Sequence, residues 1–212
     1  MATERVIEVP WALMQIPQAG TILDVGSCDA TYLHIVQQAD RILHCLDPRD
    51  PSESVTSIPP GAVFLKESII GNTLPRAHYD AVLLISVVEH IGLPCYGQRP
   101  FPLGDRLTLA EIWALLKPGC PLIATVPVGQ SKIVSWYRQY TPATLHSLFK
   151  GWQVEISYWG FNDERYQMIT EQDVDNYDYR DYNRVGAGAG AFAGIVAYRP
   201  ECYSGNSVLG VI

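Results

Sequence analysis

Five short apolar runs, none of them alternating with polar residues, constrain this chain's fold more than any other feature. They cover residues 21–25, 41–46, 62–65, 81–88 and 122–126. Runs rich in Ile, Leu and Val without a two-residue period are the pattern of strands buried on both faces. Amphipathic stretches separate them. Asp29 is placed to cap a helix carrying Tyr32, Leu33 and Val36. Thr108-Leu109-Ala110-Glu111 has the spelling of a capping box, opening a helix with Leu109, Ile112, Trp113 and Leu116 on one face and Lys117-Pro118-Gly119 as its stop. Thr141-Pro142 starts another helix and Gly151 ends it. Alternating strands and helices predict βαβ units and a parallel sheet. Beyond Gly151 the rhythm changes: residues 152–161 and 191–198 read as strands with no clear helix between them, which predicts an antiparallel pair at one edge. No linker divides the chain, so residues 1–200 are expected to form one domain and 201–212 a tail.

Composition narrows the function classes. The chain has 212 residues, 48% of them hydrophobic and 17% charged, enough for one sizeable core. A net charge of -7 without a Lys/Arg cluster repels phosphate backbones, so nucleic acid is not expected as a partner. The longest apolar run, residues 81–88, is far short of the ~20 residues of a membrane helix. Glu4 and Glu8 at the start do not suit a signal peptide. The five cysteines, Cys28, Cys45, Cys95, Cys120 and Cys202, form no C-x-x-C pair and are odd in number, which predicts reduced thiols in a cytoplasmic chain. No compact His/Asp cluster suggests a metal.

The first run leads into Asp24-Val25-Gly26-Ser27-Cys28-Asp29, a strand, a glycine turn and a helix start. Backbone N–H groups there point at whatever ligand lies above them. A pyrophosphate cradle wants G-x-G-x-x-G, but Cys28 and Thr31 stand where the second and third glycines belong. A ligand with an ammonium group and a ribose diol fits better, because Asp24 can meet the ammonium. Asp47, at the end of the second run and 23 residues after Asp24, can accept both ribose hydroxyls. Glu67 follows the third run, within reach of an adenine amino group. Each carboxylate alone is equally the solvated end of a strand.

Between residues 20 and 160 the chain resembles the class I S-adenosylmethionine-dependent methyltransferases. Leu23-Asp24-Val25-Gly26-Ser27 resembles their first motif, Tyr79-Asp80-Ala81-Val82 through Ser86-Val87-Val88-Glu89-His90 their fourth strand, and Leu115-Leu116-Lys117-Pro118-Gly119 the turn before their fifth. The resemblance implies a Rossmann-like three-layer sandwich, with a mostly parallel seven-stranded sheet and an antiparallel edge. It also implies S-adenosylmethionine as cofactor, held by Asp24, Gly26, Ser27, Cys28, Asp47, Glu67 and Ser86. The family's G-x-G-x-G appears here as Gly26-Ser27-Cys28-Asp29-Ala30. Glu89-His90-Ile91-Gly92-Leu93, Tyr96-Gly97, Gly104-Asp105 and Val126-Pro127-Val128-Gly129 are similar to a bacterial methyltransferase-like group associated with surface-glycan and sugar biosynthesis.

Methyl transfer is an in-line displacement, so the chain must align donor and acceptor and, for some acceptors, take a proton. His90, with an ordinary pKa of about 6.5, is the candidate base; the Glu89-His90 pair also reads as a structural fixture of its turn. Residues 91–104 have the length and Gly/Pro content of a binding loop. Tyr96, Arg99 and Phe101 from that loop, with Tyr137 and Arg138 after the fifth run, are candidate substrate contacts, while Trp136 and Tyr140 read as packing. Asp105 reads as a helix cap, His146 as a surface residue, and residues 173–184 as a solvated loop. Gly186-Ala187-Gly188-Ala189-Gly190 repeats a G-x-G-x-G spelling without a strand to feed it. The expected activity is O-methylation of a small molecule, a sugar or secondary metabolite. A non-catalytic binding module, a nicotinamide-dependent oxidoreductase and a glycan transferase stay open beside it, as does a homodimeric state.

Overall fold

The computed structural model describes residues 3–38, 40–97, 99–178 and 188–200. In chain order the elements are α1 (Arg5–Gln15), β1 (Gly20–Val25), α2 (Leu33–Val36), β2 (Arg41–Leu46), β3 (Val63–Leu65), β4 (Ala81–Ile85), α3 (Gly104–Leu115) and β5 (Pro121–Val128). They continue with β6 (Lys132–Ile133), β7 (Arg138–Gln139), α4 (Pro142–Leu148), β8 (Gln153–Asn162), β9 (Arg165–Ile169) and β10 (Ala191–Tyr198). Among the described residues one eight-stranded sheet has the order β3-β2-β1-β4-β5-β10-β8-β9, and β6 and β7 form a separate ribbon. β3, β2, β1, β4 and β5 are parallel neighbours. β10 runs antiparallel between β5 and β8, and β9 antiparallel to β8.

Successive strand residues face opposite layers. Leu23, Val82 and Leu84 pack with Leu109 and Ile112 of α3 and Leu145 of α4. Ile22, Ala81, Leu83 and Ile85 pack with Ala12 of α1 and Leu33 of α2. A sheet apolar on both faces and covered on both is the three-layer arrangement that the non-alternating runs require.

Several expectations need correction. The sheet has eight strands rather than seven. The extra one, β9, follows a tight turn whose residues Asp163 and Glu164 have φ of 47° and 64°, and neither is the glycine that usually marks such a turn. The antiparallel pair is β8 and β10, but β10 lies inside the sheet and β9 takes the edge. The fourth strand stops at Ile85: Ser86 turns to φ 50°, and its N–H is held by the Thr125 carbonyl oxygen at 3.1 Å and Oγ1 at 3.0 Å. α3 begins at Gly104, four residues before the Thr108 capping spelling, and Thr108 instead donates to the Gly104 carbonyl from within the helix. A Cβ on Gly104 would lie 2.3 Å from the Ile91 carbonyl oxygen, so the helix can start against that loop only with glycine there. Asp29 caps nothing: α2 starts after Tyr32, and Asp29 pairs with Arg49. Helix α1, for which the sequence gives no expectation, carries Pro10 in its middle, a residue that ordinarily marks a helix boundary. Residues 201–212 with Cys202, and the portion of the 173–190 readings that falls on 179–187, lie outside the described residues.

Candidate functional site

The crossover from β1 runs to β2 on one side, and β4 joins β1 on the other. Ligands of open α/β sheets bind beyond the strand ends at such a reversal of order. A cavity of about 560 Å³ lies there, walled by Gly26, Asp47, Arg49, Glu67, Ser86, Val87 and His90, with Tyr96, Arg99 and Phe101 from residues 91–104 also in its lining.

Gly26 ends β1 with φ 82°, a left-handed conformation that suits glycine, and a Cβ there would approach Val87 Cγ2 to 2.7 Å. The turn after it differs from expectation. Asp24 lies behind the cavity wall, fully buried, its Oδ2 accepting from Ser27 Oγ at 2.7 Å and its Oδ1 from Tyr32 OH at 2.8 Å. Burial pushes its pKa up to about 7, against the pull of those two hydrogen bonds. Ser27 and Cys28 are also off the wall. Ser27 is spent on Asp24, and the Cys28 N–H donates to Asp47 Oδ2 at 3.0 Å. These three residues therefore shape the turn instead of touching the cavity.

Asp47 does face the cavity, yet its acceptor capacity is full. Oδ1 accepts from the Arg49 backbone N–H and from Arg49 Nε, both at 3.0 Å. Oδ2 accepts from the Cys28 N–H and from Arg49 Nη2, again at 3.0 Å. A carboxylate offers about four lone-pair sites, and all four are taken. Burial pushes the Asp47 pKa up, but the Arg49 and Cys28 hydrogen bonds outweigh it and hold the group below its usual value. The Arg49 guanidinium continues to Asp29 at 2.9 Å and lies 5.2 Å from the Tyr96 ring centre. Glu67, on the wall beyond β3, accepts from the N–H and hydroxyl of Thr73 at 2.9 Å each.

A second chamber of about 280 Å³ adjoins the first, and Arg5, Ser86, His90 and Tyr96 line both. Its other walls come from Glu4 of the N-terminal segment, Glu89, Trp136, Tyr137 and Phe192 of β10. Helix α1 brings Glu8 beneath it. Glu8 is buried, pairs with Arg5 at 3.1 Å and accepts from Ser86 Oγ at 2.9 Å. His90 stacks on Trp136 with ring centres 5.5 Å apart, and its Nδ1 is hydrogen-bonded to the Trp136 carbonyl. Since a carbonyl can only accept, the Nδ1 proton is fixed and Nε2 is the basic nitrogen. Nε2 points toward Glu89 Oε1 at 3.7 Å. Burial lowers the His90 pKa, although the Trp136 carbonyl raises it. Glu89 is 3% exposed and its pKa is pushed up to about 8, chiefly by burial.

The structure thus brings Gly26, Asp47, Glu67, Ser86, His90, Tyr96 and Arg99 to the first cavity and Tyr137 to the second. Arg138 is not a wall residue. It is buried and donates from Nη1 to the carbonyls of Glu89 and Ile91, bracing the segment that carries His90. Asp105, read as a cap, accepts from Tyr140 OH at 3.3 Å. The sequence pattern does not disclose Arg5 and Glu8, which sit on α1, or Glu4 just before it, nor Arg49, whose role depends on two carboxylates 20 and 2 residues away. Among the described residues no group of three or more His, Cys, Asp and Glu side chains is placed to hold a metal ion. None of the described helices is long and apolar enough to cross a membrane.

Comparison with known proteins supports the fold. The SAM-dependent methyltransferase from Archaeoglobus fulgidus superposes with a TM-score of 0.61 at 13% identity, covering 92% of this chain and 95% of that one. The one from Methanosarcina mazei gives 0.59 at 13%, covering 91% and 98%. The Burkholderia thailandensis 1,6-didemethyltoxoflavin-N1-methyltransferase, solved with S-adenosylhomocysteine, gives 0.57 at 14%, covering 86% and 72%. At such identities the likeness is one of fold, the Rossmann-like fold of class I methyltransferases. Among curated proteins none matches by sequence. One family model matches residues 72–185, more than half of the chain, from before β4 to beyond β9. That stretch carries Ser86, Glu89, His90 and Tyr96, and on its strength the chain belongs to the family described as Caenorhabditis protein of unknown function, DUF268.

Proposed function

We propose that the protein is an S-adenosylmethionine-dependent methyltransferase acting on a small molecule. The observation that carries this reading is the pair of joined cavities at the strand ends, the larger bearing Gly26, Asp47 and Glu67 in succession from β1, β2 and β3. The residues fit the cofactor: a left-handed glycine leaves the turn low, Asp47 faces the cavity where a ribose diol needs a carboxylate, and Ile69, Val87 and Phe101 supply apolar walls for a purine. When bound, the cofactor would supply an electrophilic methyl group on a sulfonium. The chain's own work is to hold the two partners in line, exclude water and receive a proton. Tyr96, Arg99 and Phe101 line the cavity, and His90 Nε2, neutral at pH 7, stands between the two chambers. Transfer to the oxygen of a sugar or secondary metabolite suits the polar second chamber, and glycan biosynthesis would be one such setting.

A second reading, a binding module without turnover, is favoured by the saturation of Asp47 by Arg49. Calorimetric titration with S-adenosylmethionine and S-adenosylhomocysteine tests both. Micromolar binding, weakened tenfold or more in Asp47→Ala, is the expected result. Absence of binding by a folded, ligand-free protein would refute the methyltransferase reading.

A further inference from the structure

Glu89 lines the second chamber and carries a buried acceptor atom that nothing in the described structure satisfies. Glu89 lies at the end of the segment following β4, 3% exposed, and its Oε2 has no hydrogen-bond partner among the described residues. Buried oxygens without partners are uncommon, and each is costly unless something else fills it. The neighbouring carboxylates differ: Asp24 is satisfied by Ser27 and Tyr32, while Glu8 accepts from Ser86 at Oε2 and has the Arg5 guanidinium 3.1 Å from Oε1, which otherwise lacks a hydrogen bond; Glu89 Oε2 has no such counter-charge paired with it.

We propose that this chamber is the acceptor site, and that it takes a neutral, hydroxylated ring compound whose hydroxyl donates to Glu89 Oε2. The volume of about 280 Å³ is at the small end of the ~300–1,000 Å³ typical of small-molecule pockets. Trp136, Tyr137 and Phe192 offer it aromatic surface opposite the polar wall of Glu4, Ser86 and Glu89. Arg5 on the same wall disfavours a cationic occupant, and Glu4 and Glu8 on and beside α1 disfavour an anionic one. Other charged or titratable groups about Glu89 are His90 at 3.7 Å, Arg138, which donates to its backbone carbonyl, Cys95, Tyr96 and Tyr140.

The inference rests on the methyltransferase reading for the chemistry that follows. Burial keeps Glu89 protonated at neutral pH, and its proton belongs on Oε1, facing the basic Nε2 of His90. The gap of 3.7 Å is one that catalytic hydrogen bonds commonly close when substrate binds. In the transfer, the acceptor oxygen forms the new bond to the methyl carbon, and the carbon–sulfur bond breaks with its electron pair left on sulfur. The hydroxyl proton passes to Glu89 Oε2 while the Oε1 proton passes to His90 Nε2, so one proton ends on the imidazole and the carboxyl stays neutral. Glu89 then touches the acceptor, and His90 acts through it.

Phenol and its hydroxyl-free isostere toluene are suitable probes, titrated into the protein alone and with saturating S-adenosylhomocysteine. The expected result is a preference for phenol of about tenfold, the equivalent of one hydrogen bond of ~1.4 kcal/mol. In Glu89→Leu the preference should fall to about one while S-adenosylhomocysteine affinity is unchanged. In the unsubstituted protein, selectively ¹³C-labelled at glutamate, phenol should shift the Glu89 carboxyl resonance and toluene should not. Equal binding of the two probes, or phenol binding that leaves that resonance in place, would overturn the proposal even if the variant failed to fold. Absence of S-adenosylhomocysteine binding would instead sink the cofactor reading alone, because the probe preference is read without it.

Discussion

On the proposed reading, in which Asp47 takes the ribose diol, Arg49 occupies the diol's place. Two of its donors, Nε on Oδ1 and Nη2 on Oδ2, meet the two oxygens of Asp47 side by side at 3.0 Å, the arrangement in which a diol would meet them. The other two sites of Asp47 are filled by backbone N–H groups that no ligand displaces. Binding an adenosyl group must therefore free Nε and Nη2 from Asp47, leaving the guanidinium to Asp29 and solvent. Hydrogen bonds to charged groups contribute roughly 1.5–3 kcal/mol each. Because the Arg49 side chain is 23% exposed and keeps Asp29 as a partner, the net penalty falls to about 1–2 kcal/mol. Arg49→Met removes the competitor and preserves the length of the side chain. S-adenosylhomocysteine, whose own charges cancel, should then bind about 5- to 30-fold more tightly by calorimetry. Raising the salt concentration should strengthen binding to the unsubstituted protein, by screening the Arg49 pairs, and leave the variant nearly unchanged. An affinity that falls fivefold or more in Arg49→Met would show that Arg49 holds the ligand, and would refute the competition argument.

Other outcomes follow from the same geometry. Asp24 has its pKa raised to about 7 by burial, so its contribution to stability is complete below about pH 4 and is lost as pH rises through 7. Thermal melts of Asp24→Asn against the unsubstituted protein should accordingly show a difference that grows in the variant's favour from pH 4 to 8, and a constant difference would contradict this. Gly104→Ala would drive a Cβ to 2.3 Å from the Ile91 carbonyl oxygen, a backbone conflict of ~1–3 kcal/mol that should lower Tm by about 2–12 °C; an unchanged Tm would mean the 91–104 loop yields. Trp136→Ala uncovers His90, so the imidazole pKa should rise toward its ordinary value in an NMR titration, since burial is the main cause of its depression.

How much of this was legible in the sequence divides along local and remote lines. The five apolar runs became the five parallel strands; burial on both faces is written into β1, β4 and β5, whereas β2 exposes Ile42 and the edge strand β3 is only partly covered. That Gly26 and Asp47 share one cavity was legible because strand end, glycine turn and second-strand carboxylate lie within one βαβ unit. Asp24 and Arg138 were misjudged for a common reason: position along a strand says how near a residue is to a ligand, and not which neighbours have already claimed its polar atoms. Tyr32 takes Asp24, and the carbonyls of Glu89 and Ile91 take Arg138. The second chamber was invisible because its walls come from residues 4 and 5, 86–96, 136–137 and 188–192. α1, which places Arg5 and Glu8 beside it, is disguised by Pro10, and β10 owes its interior place to pairing with strands distant in the chain.

Of the four buried carboxyl groups near these strand ends, Asp47 is held charged by Arg49, and the other three, Glu8, Asp24 and Glu89, need a physical reason, because taking a charge out of water is costly unless it is paired. In each of the three, burial raises the pKa, so cost is being borne at every one. For Asp24 and Glu8 the return is structural. Asp24 ties the glycine turn to Tyr32 ahead of α2, and Glu8 ties α1 to Ser86, which turns the chain out of β4. Glu89 does neither with its side chain: the contacts that brace its segment go through its backbone carbonyl to Arg138. A leucine of similar size would satisfy the packing at position 89 without the desolvation penalty. What leucine could not provide is a carboxyl group in the chamber wall, with one oxygen 3.7 Å from the basic nitrogen of His90 and the other unsatisfied. The expense at Glu89 is therefore explained by an occupant of that chamber, and the carboxyl that fits the fold least well is the one on which the chemistry of the site should be tested first.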